Sequence, residues 1–125
     1  MSLDLQTQVS LSQHTTLAVG GPAARFIRVA DEGTLRQALA LSRRRGWRTL
    51  ILGGGSNMLV SDDGFDGLVI QLHGGSIEVG ASDSDGTLVR VSAGVVWDEL
   101  VAFAVARGLA GLTCLSGIPG RVGAA

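Results

Sequence analysis

Leu50-Ile51-Leu52-Gly53-Gly54-Gly55-Ser56-Asn57 is the stretch on which the reading of this chain turns. Three apolar residues run into three glycines, Ser56 and Asn57 follow, and a second apolar run, Met58-Leu59-Val60, takes the chain away. The pattern predicts a short buried strand, a bare backbone loop and another strand. Glycine has no Cβ, so it reaches positive φ and lets a ligand approach the main chain. Consecutive amides in such a turn form a nest for anions such as phosphate, and Ser56 and Asn57 add polar groups at its rim. The same octapeptide also suits a plain hairpin turn, and both readings stand at this point. It is not a Walker loop, because no Gly-Lys-Ser/Thr is present. It is not a Rossmann fingerprint, because the third glycine is out of place and a strand, not a helix, is expected next.

A second glycine-rich stretch closes the chain: Leu112-Thr113-Cys114-Leu115-Ser116-Gly117-Ile118-Pro119-Gly120-Arg121-Val122-Gly123-Ala124-Ala125. Pro119 suits the first turn of a helix, where a missing amide costs nothing, and Ser116 suits a cap. Gly117, Gly120 and Gly123, three apart, would leave a smooth backbone face. A helix N-terminus offers free amides and partial positive charge to an anion. Two amide-donating segments of this kind point to a dinucleotide's pyrophosphate as their ligand.

The length of 125 residues fits one domain with its own core. A net charge of −1 gives no global basic field for nucleic acid. All the cationic side chains are arginine; there is no lysine and no tyrosine. Glycine, at 19 residues, is roughly twice its usual ~7% share, which suggests many tight turns between short strands. A single cysteine, Cys114, excludes an internal disulfide and a multi-cysteine metal site, and reads as a small buried hydrophobe. No signal peptide is legible in Met1–Ser10, and no apolar run approaches the ~18 residues of a membrane span. A soluble, cytoplasmic protein is the expectation, with no nucleic-acid or membrane partner.

Between the two glycine stretches the chain reads as alternating elements. Residues 1–10 are expected to be a flexible tail, and 11–125 the domain. Ala24–Ala30 is a first strand, and Asp31 caps a helix carrying the apolar positions Leu35, Ala38 and Leu39. Arg43-Arg44-Arg45 and Gly46 close that helix, with positive charge at its negative end and then a C′ glycine. An anionic partner for the triplet is the less favoured alternative. Trp47–Leu52 is the second strand, Met58–Val60 the third and Leu68–Leu72 the fourth. Asp62, Asp63 and Asp66 lack the calcium-loop spacing and read as a solvated turn. Ser76–Val79 and Leu88–Ser92 form a strand pair around an exposed loop, Gly80–Gly86. Val96–Arg107 is the second helix, with Trp97, Leu100, Val101, Ala104 and Val105 on its buried face. Asp98 and Glu99 suit its first turn; as neighbours on a helix they point apart and do not make a catalytic pair.

Several stretches together resemble the amino-terminal half of the UDP-N-acetylenolpyruvoylglucosamine reductase family. They are His14-Thr15-Thr16 with Gly20-Gly21-Pro22-Ala23; Leu52–Asn57; Asp62 with Gly64-Phe65 and Gly67-Leu68-Val69-Ile70; Ala93-Gly94 with Trp97; and Gly108–Leu112 with Leu115–Ala125. The resemblance covers the chain from about Leu11 onward, and the two glycine motifs in this order are fairly specific to it.

The resemblance implies an α+β fold with mixed sheets and two main helices, the FAD-binding domain of the PCMH/vanillyl-alcohol-oxidase-like flavoproteins. FAD is then held by Gly53, Gly54, Gly55, Ser56 and Asn57 and by Ser116, Gly117, Ile118, Pro119, Gly120, Gly123 and Ala124. It further implies an oxidoreductase of peptidoglycan synthesis, in which NADPH reduces the flavin and hydride passes to the enolpyruvyl group of a UDP-sugar to give UDP-N-acetylmuramate. The family's catalytic serine, arginine and glutamate and its substrate-binding domain belong to later sequence, so no catalytic residue and no metal ligand is expected among these 125 residues. The domain is therefore expected to be incomplete, inactive by itself and weakened in FAD binding, with an exposed apolar patch; Ala125 falls inside what reads as a helix just begun. Two alternatives are another FAD-dependent oxidoreductase of the same fold and a non-catalytic nucleotide-binding remnant.

Overall fold

The computed structural model describes residues 2–125. Its internal contacts divide the chain into two compact units, one ending at Leu72 and the other starting at His73, where length alone suggested one domain.

The first unit is a four-stranded sheet with one helix. Its elements are β1 (Gln6–Ser10), a 3-10 turn at Leu11–His14, β2 (Pro22–Val29), α1 (Glu32–Arg45), β3 (Thr49–Leu52) and β4 (Phe65–Leu72). The strand order is β1-β2-β4-β3. β1 runs antiparallel to β2, while β2 and β3 both run parallel to β4. The parallel arrangement requires a crossover, and α1 supplies it between β2 and β3.

Successive strand residues face opposite sides of a sheet, and the apolar residues of β2 and β4 sort accordingly. Ala23, Phe26 and Val69 join Leu11 and Leu52 on one face. Ile27, Val29, Leu68 and Ile70 join Ala38 of α1 on the other. β4 is buried from Gly67 to Gln71, as expected of a central strand covered on both faces. α1 begins where Asp31 accepts hydrogen bonds from Thr34 N–H at 2.8 Å and Thr34 Oγ1–H at 2.7 Å. The backbone bond from Thr34, then the side-chain one, hold the Asp31 carboxyl below its ordinary pKa. α1 ends at Gly46, which is left-handed at φ +66, as the Arg43-Arg44-Arg45-Gly46 sequence predicted.

Two sequence expectations fail here for identifiable reasons. Of the tail expected at residues 1–10, residue 1 lies outside the described residues, but Leu3 and Leu5 pack against the core and Gln6–Ser10 forms β1. The polar side chains of β1 conceal a strand whose partner is distant in sequence. Met58–Val60 forms no strand. Met58 and Val60 pack against the core as a connection, and the segment is laid against two glycines: a Cβ on Gly20 would sit 2.5 Å from Val60 Cβ, and Gly21 N–H donates to Ser61 O at 2.8 Å. Apolar burial here serves packing, not a ladder.

The second unit contains an antiparallel pair, β5 (Ile77–Ser82) and β6 (Thr87–Val91), then α2 (Trp97–Ala106) and 3-10 turns at Thr113–Leu115 and Val122–Ala124. β5 runs further than expected, so the loop expected at Gly80–Gly86 shrinks to a turn about Asp83, whose Oδ1 accepts from Asp85 N–H and Gly86 N–H at 2.9 and 3.1 Å. α2 buries Leu100, Val101 and Ala104, three of the five positions assigned to its inner face; Val105 is 54% exposed.

Candidate functional site

Gly53–Asn57 leaves β3 as an irregular loop and is anchored through its carbonyls. Gln71, on β4 beside the end of β3, donates its Nε2–H to Gly53 O at 3.2 Å. Thr16 N–H donates to Gly55 O at 3.0 Å. Gly55 is buried at φ +71, and a Cβ there would run into the carbonyl oxygen of His14 and lie 2.8 Å from Thr15 Cα. Glycine is required at Gly55 both for the backbone angle and for this close approach. His14 is itself fixed, its ring 4.5 Å from that of Phe26 in the core.

The loop's donors are left over. Among the described residues, the N–H groups of Gly54, Gly55, Ser56 and Asn57 and the side chains of Ser56 and Asn57 make no hydrogen bond within the chain. Thr15 Oγ1, on the segment that faces Gly55, is buried and has no partner either. Gly55 is buried while Gly54 and Asn57 are exposed, and buried polar groups are ordinarily paired. A run of unpaired amides beside an orphaned hydroxyl fits the phosphates of a dinucleotide.

Ser116–Gly120 is built differently. The first residues of α2 hold it: Trp97 Nε1–H donates to Leu115 O at 2.8 Å, Trp97 N–H to Gly120 O at 3.0 Å, and Asp98 Oδ1 accepts from Gly117 N–H at 2.8 Å. Arg121 donates from its guanidinium to Gly94 O at 2.9 Å. Val122 N–H and Gly123 N–H donate to Val95 O and Ala93 O at 2.9 and 3.0 Å.

The helix expected from Pro119 is absent. Only a three-residue 3-10 turn, Val122–Ala124, follows, and Arg121 precedes it. Ser116 ends the Thr113–Leu115 turn instead of capping a helix. The three glycines do not line one face; each has its own task. Gly117 and Gly120 take positive φ, +86 and +106. Gly123 is where the backbone passes Ala93; a Cβ there would lie 2.7 Å from Ala93 Cβ. The amides of Ser116, Gly117 and Gly123 are occupied within the chain, whereas that of Gly120 makes no bond among the described residues. Cys114 is exposed, not the buried hydrophobe expected, because its 3-10 turn has no buried residue.

Nothing in the local sequence marks Gln71, Thr15, Trp97 or Asp98 for these roles. Only the orphaned or spanning hydrogen bonds of the folded chain reveal them. Among the described residues no group of three or more His, Cys, Asp or Glu is placed to hold a metal ion, and no helix is long and apolar enough to cross a membrane.

The mixed α+β chain carries a glycine loop with unpaired backbone donors, and the family model described as "FAD binding domain" matches residues 23–125. The chain belongs to that family of FAD-binding domains. It is 46% identical over 124 residues to the UDP-N-acetylenolpyruvoylglucosamine reductase of Thermobifida fusca (strain YX), covering 99% of this chain and 35% of the relative. To the reductase of Nocardia farcinica (strain IFM 10152) it is 49% identical over 119 residues, covering 93% of this chain and 29% of the relative. The crystal structure of UDP-N-acetylenolpyruvylglucosamine reductase from Thermus caldophilus superposes with a TM-score of 0.68 at 36% identity, over 98% of this chain and 40% of that one. The chain thus spans about a third of the length of the curated relatives it matches.

Proposed function

We propose that this chain is the FAD-holding part of an NADPH-dependent reductase that converts UDP-N-acetylenolpyruvoylglucosamine to UDP-N-acetylmuramate in cytoplasmic peptidoglycan synthesis. The observation that carries it is the Gly53–Asn57 loop, fixed by its carbonyls with its amides unpaired, in a chain that matches the FAD-binding domain. Bound FAD supplies hydride-transfer chemistry.

This chain's own residues bind and orient. Gly54, Gly55, Ser56 and Asn57 offer amides, and the Ser56 hydroxyl and Asn57 amide side chains add polar groups. In the second segment Ile118, Pro119 and Gly120 offer surface and backbone, while Ser116, Gly117, Gly123 and Ala124 hold its shape. Hydrogen bonds to a charged group contribute about 1.5–3 kcal/mol each, and micromolar binding needs about 8 kcal/mol. A few amides on a pyrophosphate therefore supply much of a micromolar affinity, and burial of the flavin and adenine rings supplies the rest. The UDP-sugar and the proton-transfer groups are assigned to sequence outside these residues.

Absorbance and NADPH oxidation by the purified natural-length protein test the reading. A flavin spectrum, with NADPH consumed only when the enolpyruvyl UDP-sugar is present, is expected. Protein that neither retains nor takes up flavin would contradict it.

A further inference from the structure

The loop Ser116–Gly120 and the start of α2 hold each other. Trp97 N–H, the first amide of the helix, donates to Gly120 O, and the Trp97 indole N–H to Leu115 O. Asp98 reaches 19 positions along the chain to accept from Gly117 N–H at 2.8 Å. These bonds bracket the loop at its start, middle and end. An aspartate in the first turn of a helix is ordinarily explained by the helix dipole. Glu99 in the same turn serves that purpose, and among the described residues its carboxylate makes no hydrogen bond or ion pair. The Asp98 carboxylate has a further partner, an amide in a loop whose Gly117 and Gly120 both stand at positive φ.

We propose that Asp98, with Trp97 beside it, is a positioning residue that fixes the Ser116–Gly120 loop in the shape that contacts a flavin dinucleotide. The proposal rests on the FAD-binding reading above. It also reassigns the donors of the loop. Gly117 N–H faces the carboxylate and is not offered to the cofactor, whereas Gly120 N–H and the partly exposed side chain of Ile118 are.

Asparagine keeps an acceptor oxygen at position 98 without the charge; alanine has none. FAD affinity from flavin fluorescence, the visible absorbance band of the bound flavin and the cofactor-free thermal midpoint are measured for the natural-length protein, Asp98→Ala and Asp98→Asn. Asp98→Ala is expected to weaken FAD about tenfold or more and to shift the flavin band, while Asp98→Asn stays within about threefold of the wild type. Asp98→Ala that loses thermal stability yet binds FAD with wild-type affinity and spectrum overturns the proposal, since the role is then only structural. Equal losses in Asn and Ala overturn it too, because charge and not the hydrogen bond then matters.

If Asp98→Ala does not fold, Trp97→Phe keeps an aromatic ring, though a smaller one, and removes the indole N–H bond to Leu115 O. A severalfold weaker FAD affinity supports the clamp, and wild-type affinity overturns it. Wild-type protein that binds no FAD overturns the parent reading and this one together, a result distinguishable from any difference among the variants.

Discussion

Gly53–Asn57 and Ser116–Gly120 are both glycine-rich connections, yet the chain holds them in opposite ways. The first is fastened by acceptors: Gln71 and Thr16 take its carbonyls and its amides are left over. The second is fastened at acceptors and donors alike, with Leu115 and Gly120 carbonyls and the Gly117 amide all engaged by the first two residues of α2. A backbone group already paired has little to offer a ligand, because a new partner must displace the old one. Glycine content marks where a backbone can be approached. The hydrogen-bond partners decide which of its groups remain to meet a ligand.

The contrast breaks most visibly at Gly55. Gly55→Ala places a Cβ against the His14 carbonyl at a left-handed φ. It is expected to destabilise the protein by about 3 kcal/mol or more and to abolish FAD binding. Denaturant unfolding with flavin titration checks this; near-native stability would mean that His14 and the loop are not packed as described.

Gln71 sharpens the contrast at smaller scale. Gln71→Leu leaves the part-buried Gly53 carbonyl without its donor, and is expected to cost about 1–3 kcal/mol. Because it frees a carbonyl without touching an amide, FAD affinity should fall by less than in Gly55→Ala. Equal losses in the two variants would argue that the loop works only as a whole.

Asp31 is the control, in a helix cap remote in sequence from either loop. Its pKa is depressed in the folded chain, first by the backbone bond from Thr34. A depressed carboxyl stabilises the fold above its unfolded value and loses that contribution as pH falls through the folded one. Asp31→Ala should therefore lower the thermal midpoint slightly at neutral pH, with the difference closing as the pH drops below the ordinary value of 3.8. FAD affinity should not change. A difference that persists in acid would mean that Asp31 stabilises α1 by something other than its charge.

Much of this was legible in the sequence where local chemistry decides structure. Asp31, the arginine triplet and Gly46 bound α1 as expected because capping, the helix dipole and a left-handed glycine act over a few residues. The Gly53–Asn57 loop was found from the same local logic. What failed depended on distant partners. β1 has polar side chains and is a strand only because β2 lies beside it. Met58–Val60 has strand-like residues and is not one, because Gly20 and Gly21 receive it. Ser116-Gly117-Ile118-Pro119-Gly120 carries helix-start signals, but α2 captures its backbone from 19 residues away. The Gly117 amide, which looked free in sequence, is paired with Asp98 in the fold.

Residue-resolved hydrogen exchange, with and without FAD, measures the central contrast directly. The Gly54, Gly55, Ser56 and Asn57 amides are expected to exchange freely in the cofactor-free protein and to become protected when FAD binds, while the Gly117 amide is protected in both states. Protection of Gly54–Asn57 before FAD is added, or a Gly117 amide that becomes protected only with FAD, would contradict that contrast.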